Sequence, residues 1–283
     1  MEIIGRIPDM QHWSEAARLA GKKIAFVPTM GFLHAGHLSL VHEGKKRGDV
    51  VVVSIFVNPI QFNQQSDFAT YPRDFERDQR LLEEVGTDVL FIPTALEMYP
   101  AGFQAAVEVD KVSQPLCGAF RPGHFRGVTT VVAKLFHVVK PHVALFGEKD
   151  FQQCVVIKRM VRDLNFDLDI VAMPTVREPD GLAMSSRNAR LSPAERQTSL
   201  CLSKALNTAQ ELVTQGERCS ATLLQTVREL IERTGSVRLE YASLCHPETL
   251  EDVSEVSGPT LLALAAWIGD VRLIDNRILK TSN

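Results

Sequence analysis

Residues 24–38 constrain the fold more than any other stretch of this chain. Ile24-Ala25-Phe26-Val27 is an apolar run with the length and composition of a buried strand. Leu38, Leu40 and Val41 form the apolar face of a helix. Between them runs Pro28-Thr29-Met30-Gly31-Phe32-Leu33-His34-Ala35-Gly36-His37, so two histidines three residues apart fall where a strand turns into a helix. At such a junction the first helical N–H groups lack intrahelical acceptors, and the positive end of the helix dipole faces an anionic ligand. Imidazoles add donors and positive charge there, and Gly36 lets a ligand approach unobstructed. The arrangement suits nucleotide phosphates. Read alone, it also accommodates two exposed capping residues or two metal ligands, although no cysteine or acidic residue stands nearby at metal-ligand spacing.

The rest of the first two-thirds repeats this rhythm. Strands are expected at Ile24-Val27, Val50-Val57, Val89-Ile92, Val143-Phe146 and Leu168-Ala172, with helices at about 36–47, 74–85, 128–139 and 151–163. The helix at 74–85 opens at Asp74 and stops at Gly86, and Pro141 ends the one at 128–139. Such alternation implies right-handed βαβ units and a Rossmann-like, doubly wound, mainly parallel α/β sheet. After about residue 175 the rhythm changes. Ser192-Pro193-Ala194-Glu195 is a helix start, with Ser192 as N-cap and Glu195 at the third position. Two long helices, 193–215 and 219–234, precede three strands, Val237-Leu244, Thr260-Trp267 and Val271-Asp275. Trp267 is expected in the core and the charges of Arg272 to Arg277 in solvent. The expected domains are therefore 1–176, Rossmann-like, and 177–283, a smaller α+β domain.

Composition narrows the class. The chain has 283 residues, 45% hydrophobic and 23% charged, ordinary values for a globular protein. A net charge of -3 gives no electrostatic case for nucleic acid or an acidic membrane surface. No apolar run approaches the ~20 residues of a membrane span. The start of the chain lacks a basic and then hydrophobic leader. Five scattered cysteines without a C-x-x-C suit reduced thiols, and the expected address is the cytoplasm.

In a doubly wound sheet, ligands bind beyond the carboxyl ends of the strands, near the switch in strand order. The chemically capable residues gather after the strands. Thr29, Met30, His34 and His37 follow the first, and Asn58-Pro59-Ile60-Gln61 the second. Gly147-Glu148-Lys149-Asp150 and Gln152-Gln153 follow the run at 143–146, and Pro174-Thr175-Val176 with 181–188 follow the last. Each segment has an ordinary alternative: Asn58 and Gln61 as turn residues, Lys149 and Asp150 as an exposed helix start, Ser185-Ser186-Arg187 as a polar loop. Four segments expected at one edge weigh more than any one. Arg121-Pro122-Gly123-His124-Phe125-Arg126-Gly127 reads as a basic turn, either a second anion site or a partner contact.

With these residues assembled, the chain resembles the pantothenate synthetase (pantoate–β-alanine ligase) family nearly end to end. The resemblance rests on 27–37, on Val53-Ser54-Ile55-Phe56-Val57-Asn58-Pro59 with Gln61-Phe62, and on Tyr71-Pro72-Arg73. It continues through 121–128, 146–153 and Asp180-Gly181-Leu182-Ala183-Met184-Ser185-Ser186-Arg187-Asn188. His34-Ala35-Gly36-His37 looks like the H-x-G-H signature of class I nucleotidyltransferases, and 184–187 like their mobile second motif.

The resemblance implies a two-step, Mg²⁺-dependent reaction in a homodimer of the coenzyme A pathway. ATP and (R)-pantoate give a pantoyl adenylate and pyrophosphate; β-alanine then displaces AMP to give pantothenate. It implies His37, His34 and Lys149 as catalytic groups. Around ATP it puts Met30, Gly31, Phe32, Leu33, His34, Ala35, Gly36, His37, Gly147, Glu148, Lys149, Asp150, Val176, Met184, Ser185, Ser186 and Arg187. Gln61 and Gln153 take pantoate, and Gln61 β-alanine. From the residues themselves, Asn58 is added on the β-alanine side or behind it. Asp78 or Asp150 is a candidate carboxylate for Mg²⁺, which the phosphates can also hold. The rival readings are another small-molecule adenylyltransferase of the same fold and a nucleotide-binding regulator without catalysis.

Overall fold

The computed structural model describes residues 1–281. The chain divides into two compact units. The first comprises Met1–Asp110, Arg121–Glu148 and Val156–Pro174; the second comprises Lys111–Phe120, Lys149–Val155 and the chain from Thr175 onward.

The first unit is built on six parallel strands: β1 (Glu2–Ile4), β2 (Ile24–Thr29), β3 (Val50–Ile55), β4 (Val89–Phe91), β5 (Val143–Gly147) and β6 (Asp169–Met173). Their order is β1-β4-β3-β2-β5-β6. Its helices are α1 (Ile7–Leu19), α2 (Ala35–Arg47), the short α3 (Gln65–Ala69), α4 (Phe75–Glu84) and the short α5 (Ala95–Met98); the short α6 (Cys117–Phe120) belongs to the second unit, α7 (His124–Val139) to the first, and α8 (Phe151–Asp163) starts in the second and continues in the first from Val156. Side chains alternate across each strand. Ala25, Val27, Val51, Val53, Leu90 and Leu145 pack with Leu40 and Val41 of α2 and Leu82 of α4. On the opposite face Phe26 meets Phe136 of α7 edge-on at 6.4 Å. Both faces are covered, which is the doubly wound α/β fold expected from the alternation.

The order reverses direction at β2, which has β3 on one side and β5 on the other. The β2–β3 ladder runs the full length, from Ile24↔Val50 to Thr29↔Ile55. The β2–β5 ladder stops at Phe26↔Ala144, although both strands continue for three more residues. Backbone polarity explains the difference. The Thr29 carbonyl accepts from Phe56 beyond β3, whereas the Ile24 carbonyl accepts from His142 at the start of β5. Alternation then turns Phe26 and Pro28 toward β5, and Pro28 has no N–H to donate. The sheet therefore parts between β2 and β5 at its carboxyl edge.

Several elements of this unit depart from the sequence reading: β1, α1 and the short α3 and α5 are not expected from it, and α7 starts early. The face that α1 buries consists of Met10, Ser14 and Ala17, too small and polar to register as an apolar stripe. The helix expected at 128–139 begins a turn earlier, at His124. Gly127, read as part of a basic turn, lies inside the helix because its bare Cα meets the backbone of 60–61. A Cβ there would stand 2.6 Å from the Ile60 carbonyl oxygen and 2.7 Å from Gln61 Cα.

The second unit has two long helices, α9 (Pro193–Thr214) and α10 (Ser220–Arg233), and an antiparallel sheet of β7 (Val237–Cys245), β8 (Thr260–Ile268) and β9 (Val271–Leu279) in that order. α9 starts on the expected capping box: Ser192 Oγ accepts from Glu195 N at 3.3 Å, and Glu195 Oε2 accepts from Ser192 N at 2.8 Å. Leu202, Leu206, Leu223, Val227, Leu262 and Leu264 are among the residues of its core. The expectation of solvated charges along 272–277 is corrected here. Arg272 pairs with Glu240, both largely buried, and Asp275 is 3% exposed and paired with Arg177. Trp267 donates its indole N–H to Glu240 at 2.9 Å. Burial alone would raise the Glu240 carboxyl, but Arg272 and Trp267 outweigh it and hold the group below its ordinary range.

Four of the five cysteines are buried; Cys219 is exposed. Burial pushes Cys201 up to about 11 and Cys245 up to about 12. Cys219 stands at the N-cap position of α10, where the N–H and hydroxyl of Thr222 and then the N–H of Ala221 lower its thiol. A small alkylating reagent near neutral pH should therefore label Cys219 first, and the other four only on unfolding. Peptide mapping of the singly labelled protein checks this; early label on any buried cysteine would contradict it.

Candidate active site

The turn after β2 lies at the switch in strand order, beside the parting of β2 and β5, and it is held from beneath. Thr29 Oγ1 donates to the Ser54 carbonyl at 2.8 Å and accepts from Gly31 N at 3.2 Å. Gly31 and Phe32 then take left-handed conformations, φ 80° and 50°. That backbone is unusual for phenylalanine. It is stabilised by Asp78, whose oxygens accept from Phe32 N at 2.6 Å and Leu33 N at 2.7 Å. Asp78 is 1% exposed, and burial raises its carboxyl above the ordinary value against the pull of those two N–H groups and Arg77. Leu33 is buried in the core cluster of Leu40 and Val53. The turn is thereby pinned on both sides.

His34 is the N-cap of α2 and His37 its third residue, and together they form a capping box. His34 Nδ1 accepts from Gly36 N at 3.2 Å, and His37 Nδ1 accepts from His34 N at 3.3 Å. An imidazole nitrogen that accepts a hydrogen bond carries no hydrogen, so each neutral ring has its proton on Nε2. The capping geometry thus fixes both tautomers and makes Nε2–H the donor of each ring. The ring centroids are 4.1 Å apart. Capping and ligand binding are therefore compatible readings of these histidines.

Gln61 ends a 3₁₀ turn after β3, Pro59–Gln61. The buried Asn58 donates from Nδ2 to the Gly127 carbonyl at 3.1 Å and to Gln61 Oε1 at 2.9 Å, while Asn58 Oδ1 accepts from Tyr99 Oη at 2.8 Å. A backbone carbonyl can only accept, so Gly127 decides which end of the Asn58 amide is NH₂. Asn58 in turn decides the same for Gln61, whose Nε2 lies 3.0 Å from Met30 Sδ. Burial pushes the Tyr99 hydroxyl far up, so it remains a donor. Asn58 is wholly engaged in orienting its neighbour.

The segment 121–127 belongs to the same framework. His124 Nδ1 and Arg121 Nη2 hold the Gln61 carbonyl at 2.9 and 3.4 Å. Neither an anion site nor a partner contact is needed to explain these two side chains. The sequence offered no signal for Tyr99, which follows a four-residue helix without periodicity, and it left the role of 121–127 open.

Gly147 ends β5 and Glu148 follows it, in the first unit. The remaining candidates lie in the second unit. Lys149, 19% exposed, stands 3.7 Å from Asp150. Gln153 is on the first turn of α8, partly buried. Its neighbour Gln152 is a brace for the chain before it, accepting from Cys117 N at 3.0 Å and donating to the carbonyls of Val112 and Pro115. Val176 and Met184 are joined by Met184 N to the Val176 carbonyl at 3.0 Å, in a small hairpin that turns at Gly181, φ 94°. Ser185 caps the 3₁₀ turn Ser186–Arg190 by accepting from Arg187 N at 3.2 Å. Ser186 is buried.

A magnesium site made by the chain alone does not emerge. Among the described residues no group of three or more His, Cys, Asp or Glu is placed to hold a metal. Asp78 spends both oxygens on backbone N–H groups, and Asp150 is half-exposed beside Lys149. No described helix is long and apolar enough to cross a membrane.

A Rossmann-like sheet whose switch-point turn presents two fixed imidazole donors defines an α/β enzyme with a polar carboxyl edge. Comparison with known proteins gives the particular kind. The pattern of the pantoate-β-alanine ligase family matches residues 2–278. Pantothenate synthetase of Geobacter sulfurreducens is 59% identical over 279 residues, 99% of either chain, and that of Syntrophus aciditrophicus 56% over 278, covering 98% and 97%. Pantothenate synthetase of Thermus thermophilus superposes with a TM-score of 0.94 at 44% identity, covering 99% of this chain and 100% of that one. The Francisella tularensis pantoate-β-alanine ligase, solved with β,γ-ATP and β-alanine, gives 0.85 at 35%, covering 100% and 99%. The chain belongs to the pantoate-β-alanine ligase family.

The amide relay is open to a direct test. Tyr99→Phe removes the donor to Asn58 Oδ1 and leaves a buried acceptor unsatisfied, which should cost about 1–3 kcal/mol. Urea unfolding should show that loss with an unchanged slope; an unchanged midpoint would mean that Asn58 is oriented without Tyr99.

Proposed function

We propose that this chain condenses (R)-pantoate with β-alanine through an enzyme-bound pantoyl adenylate. A pantoate carboxylate oxygen attacks the α-phosphorus of ATP, and the bond to the bridging oxygen breaks as pyrophosphate leaves. The β-alanine amine then attacks the activated acyl carbon; AMP leaves, and the amine gives up a proton as pantothenate forms. Family membership supports the reaction class. The observation that carries the reading is the capping box of α2, which makes both His34 and His37 Nε2–H donors at a helix N-terminus.

Two anions must meet in the first step, so donors aimed at developing phosphate charge are the main aid a protein can give. His34, His37, Lys149, Ser185, Ser186 and Arg187 are proposed for that work, with 30–37, 147–150, Val176 and Met184 around ATP. Gln61 and Gln153 are proposed for the carboxylate and hydroxyls of pantoate, and Gln61 for β-alanine. The amide orientation derived for Gln61 supports its Nε2 as the donor toward substrate oxygen. Asn58 is assigned to holding Gln61, and Asp78 to holding the turn. Magnesium fits better as a companion of the nucleotide phosphates than as a resident ion. A homodimer in the cytoplasm is the setting that accords with this reading.

Product analysis with each substrate omitted in turn tests the reaction. Pyrophosphate release should need ATP and pantoate, and AMP should accumulate stoichiometrically only when β-alanine is added. Formation of a dinucleotide-like product without an amine would favour the rival adenylyltransferase. His37→Ala and Lys149→Ala should each reduce pantoate-dependent pyrophosphate exchange by about 10²–10³-fold in folded protein; exchange close to that of the unchanged protein would sink those roles. Gln153→Ala should raise the KM for pantoate and leave that for ATP near its starting value. An equal rise in both would refute the assignment.

A further inference from the structure

We propose that Asp275 and Asn276, adjacent on β9 and assigned no contact with any substrate, are positioning residues that hold Lys149 and the 176–187 hairpin in register. The inference rests on the reading that those two segments bind ATP. It concerns the second unit alone.

The bonding is specific. Arg177 at the base of the hairpin makes a two-pronged bond to Asp275, Nη1 to Oδ2 at 2.7 Å and Nη2 to Oδ1 at 2.8 Å. The same Nη1 donates to the carbonyl of Gly181, at the hairpin tip, at 3.0 Å. Asp275 Oδ1 also accepts from Asn276 N at 2.8 Å, and Asn276 Nδ2 donates to the Lys149 carbonyl at 2.9 Å. Two neighbouring residues thus tie a hairpin to a segment 127 positions before Asn276. The paired geometry of guanidinium and carboxylate sets rotation as well as distance. Holding the Lys149 carbonyl fixes the point from which its ammonium extends.

The anchor itself is firm. Asp275 and Asn276 pair with Leu264 and Ala263 of β8, which are buried. Nothing in sheet packing asks for an acid here, because a buried ion pair adds little stability over an apolar pair of similar shape. What it adds is a fixed geometry, and both segments it fixes carry proposed ATP ligands.

The test compares Asn276→Asp, Asp275→Asn, Asp275→Glu and Lys149→Ala by pantoate-dependent pyrophosphate exchange, by the KM for β-alanine in the full reaction, and by thermal unfolding. Asn276→Asp keeps the size of the side chain and removes its donor, so it remains informative if the Asp275 variants fold poorly. Expected is a loss of about a hundredfold in exchange for Asn276→Asp and Asp275→Asn, the scale of an ångström-level misplacement. The KM for β-alanine should stay within about twofold, the Tm of Asn276→Asp close to that of the unchanged protein, and Asp275→Glu should recover part of the loss. Normal exchange in Asn276→Asp beside a loss in Lys149→Ala overturns the positioning role alone. Normal exchange in Lys149→Ala overturns the reading of Lys149, and the proposal with it. Parallel losses in exchange, β-alanine KM and Tm that Asp275→Glu does not relieve would reduce the pair to a structural brace.

Discussion

A missing hydrogen-bond donor shapes the working edge of the first unit. Pro28 sits on β2 where alternation requires an N–H toward β5, and the ladder ends before it, at Phe26. The same residue leaves the β3 side intact, because Val27 and Thr29 face that way. A central strand is ordinarily a poor place for proline. Here the switch in strand order already separates β2 and β5 in connectivity, so the lost bond falls where a crevice is wanted. Replacing Pro28 in thought with valine would zip the sheet further and draw the turn at 30–34 inward.

That turn then has to be supported without the ladder. Asp78 supplies the support from α4, and its chemistry is selective. Two successive N–H groups need two acceptors a short distance apart, which a carboxylate offers and an amide does not. The left-handed backbone at Phe32, costing of order 1 kcal/mol, is stable only under such a clamp. Once the turn is fixed, His34 is placed as N-cap, the capping box sets both ring tautomers, and the donors follow. At Gln61 the equivalent role falls to the Gly127 carbonyl, acting through Asn58. In both cases a backbone group determines what a side chain can present to a ligand.

How much of this was legible in the chain varies with the range of the interaction. The β2–α2 junction, the capping box at Ser192 and the alternating core runs are local patterns, and the structure has them where the sequence placed them, with strand ends shifted by a residue or two except at β9, which runs four residues past the expected Asp275. α1 was not legible because its buried face is built largely of Ser14 and Ala17. The helical state of 124–127 was not legible because Gly127 is explained only by the backbone of Ile60 and Gln61, remote in sequence. The charges of β9 looked like a solvated strand face. Arg177 and Glu240, the partners that bury Asp275 and Arg272, lie 98 and 32 positions away. Residue types suited to phosphate and amide chemistry could be picked out, but the supporting roles of Asp78, Gly127, Tyr99 and Asp275, which hold them or their immediate neighbours, could not, since each comes from another segment.

The supports share a feature that argues for function over stability. Asp78, Asn58 and Asp275 are each at most 3% exposed, and each satisfies several donors or acceptors at once. Removing such groups from water is costly, and the bonds they make at best offset that cost. Apolar replacements of similar shape would serve a core as well. They would leave the turn at Phe32, the amide of Gln61 and the hairpin at Arg177 free to choose among orientations, and the proposed reaction between two anions would tolerate that freedom poorly. Asp78 shows the balance most clearly, for a carboxylate behind a turn read as phosphate-binding repels its ligand. Two short N–H bonds and the Arg77 guanidinium 3.6 Å away draw that charge inward. The repulsion is thereby kept small while the geometry, which only a carboxylate gives, is retained.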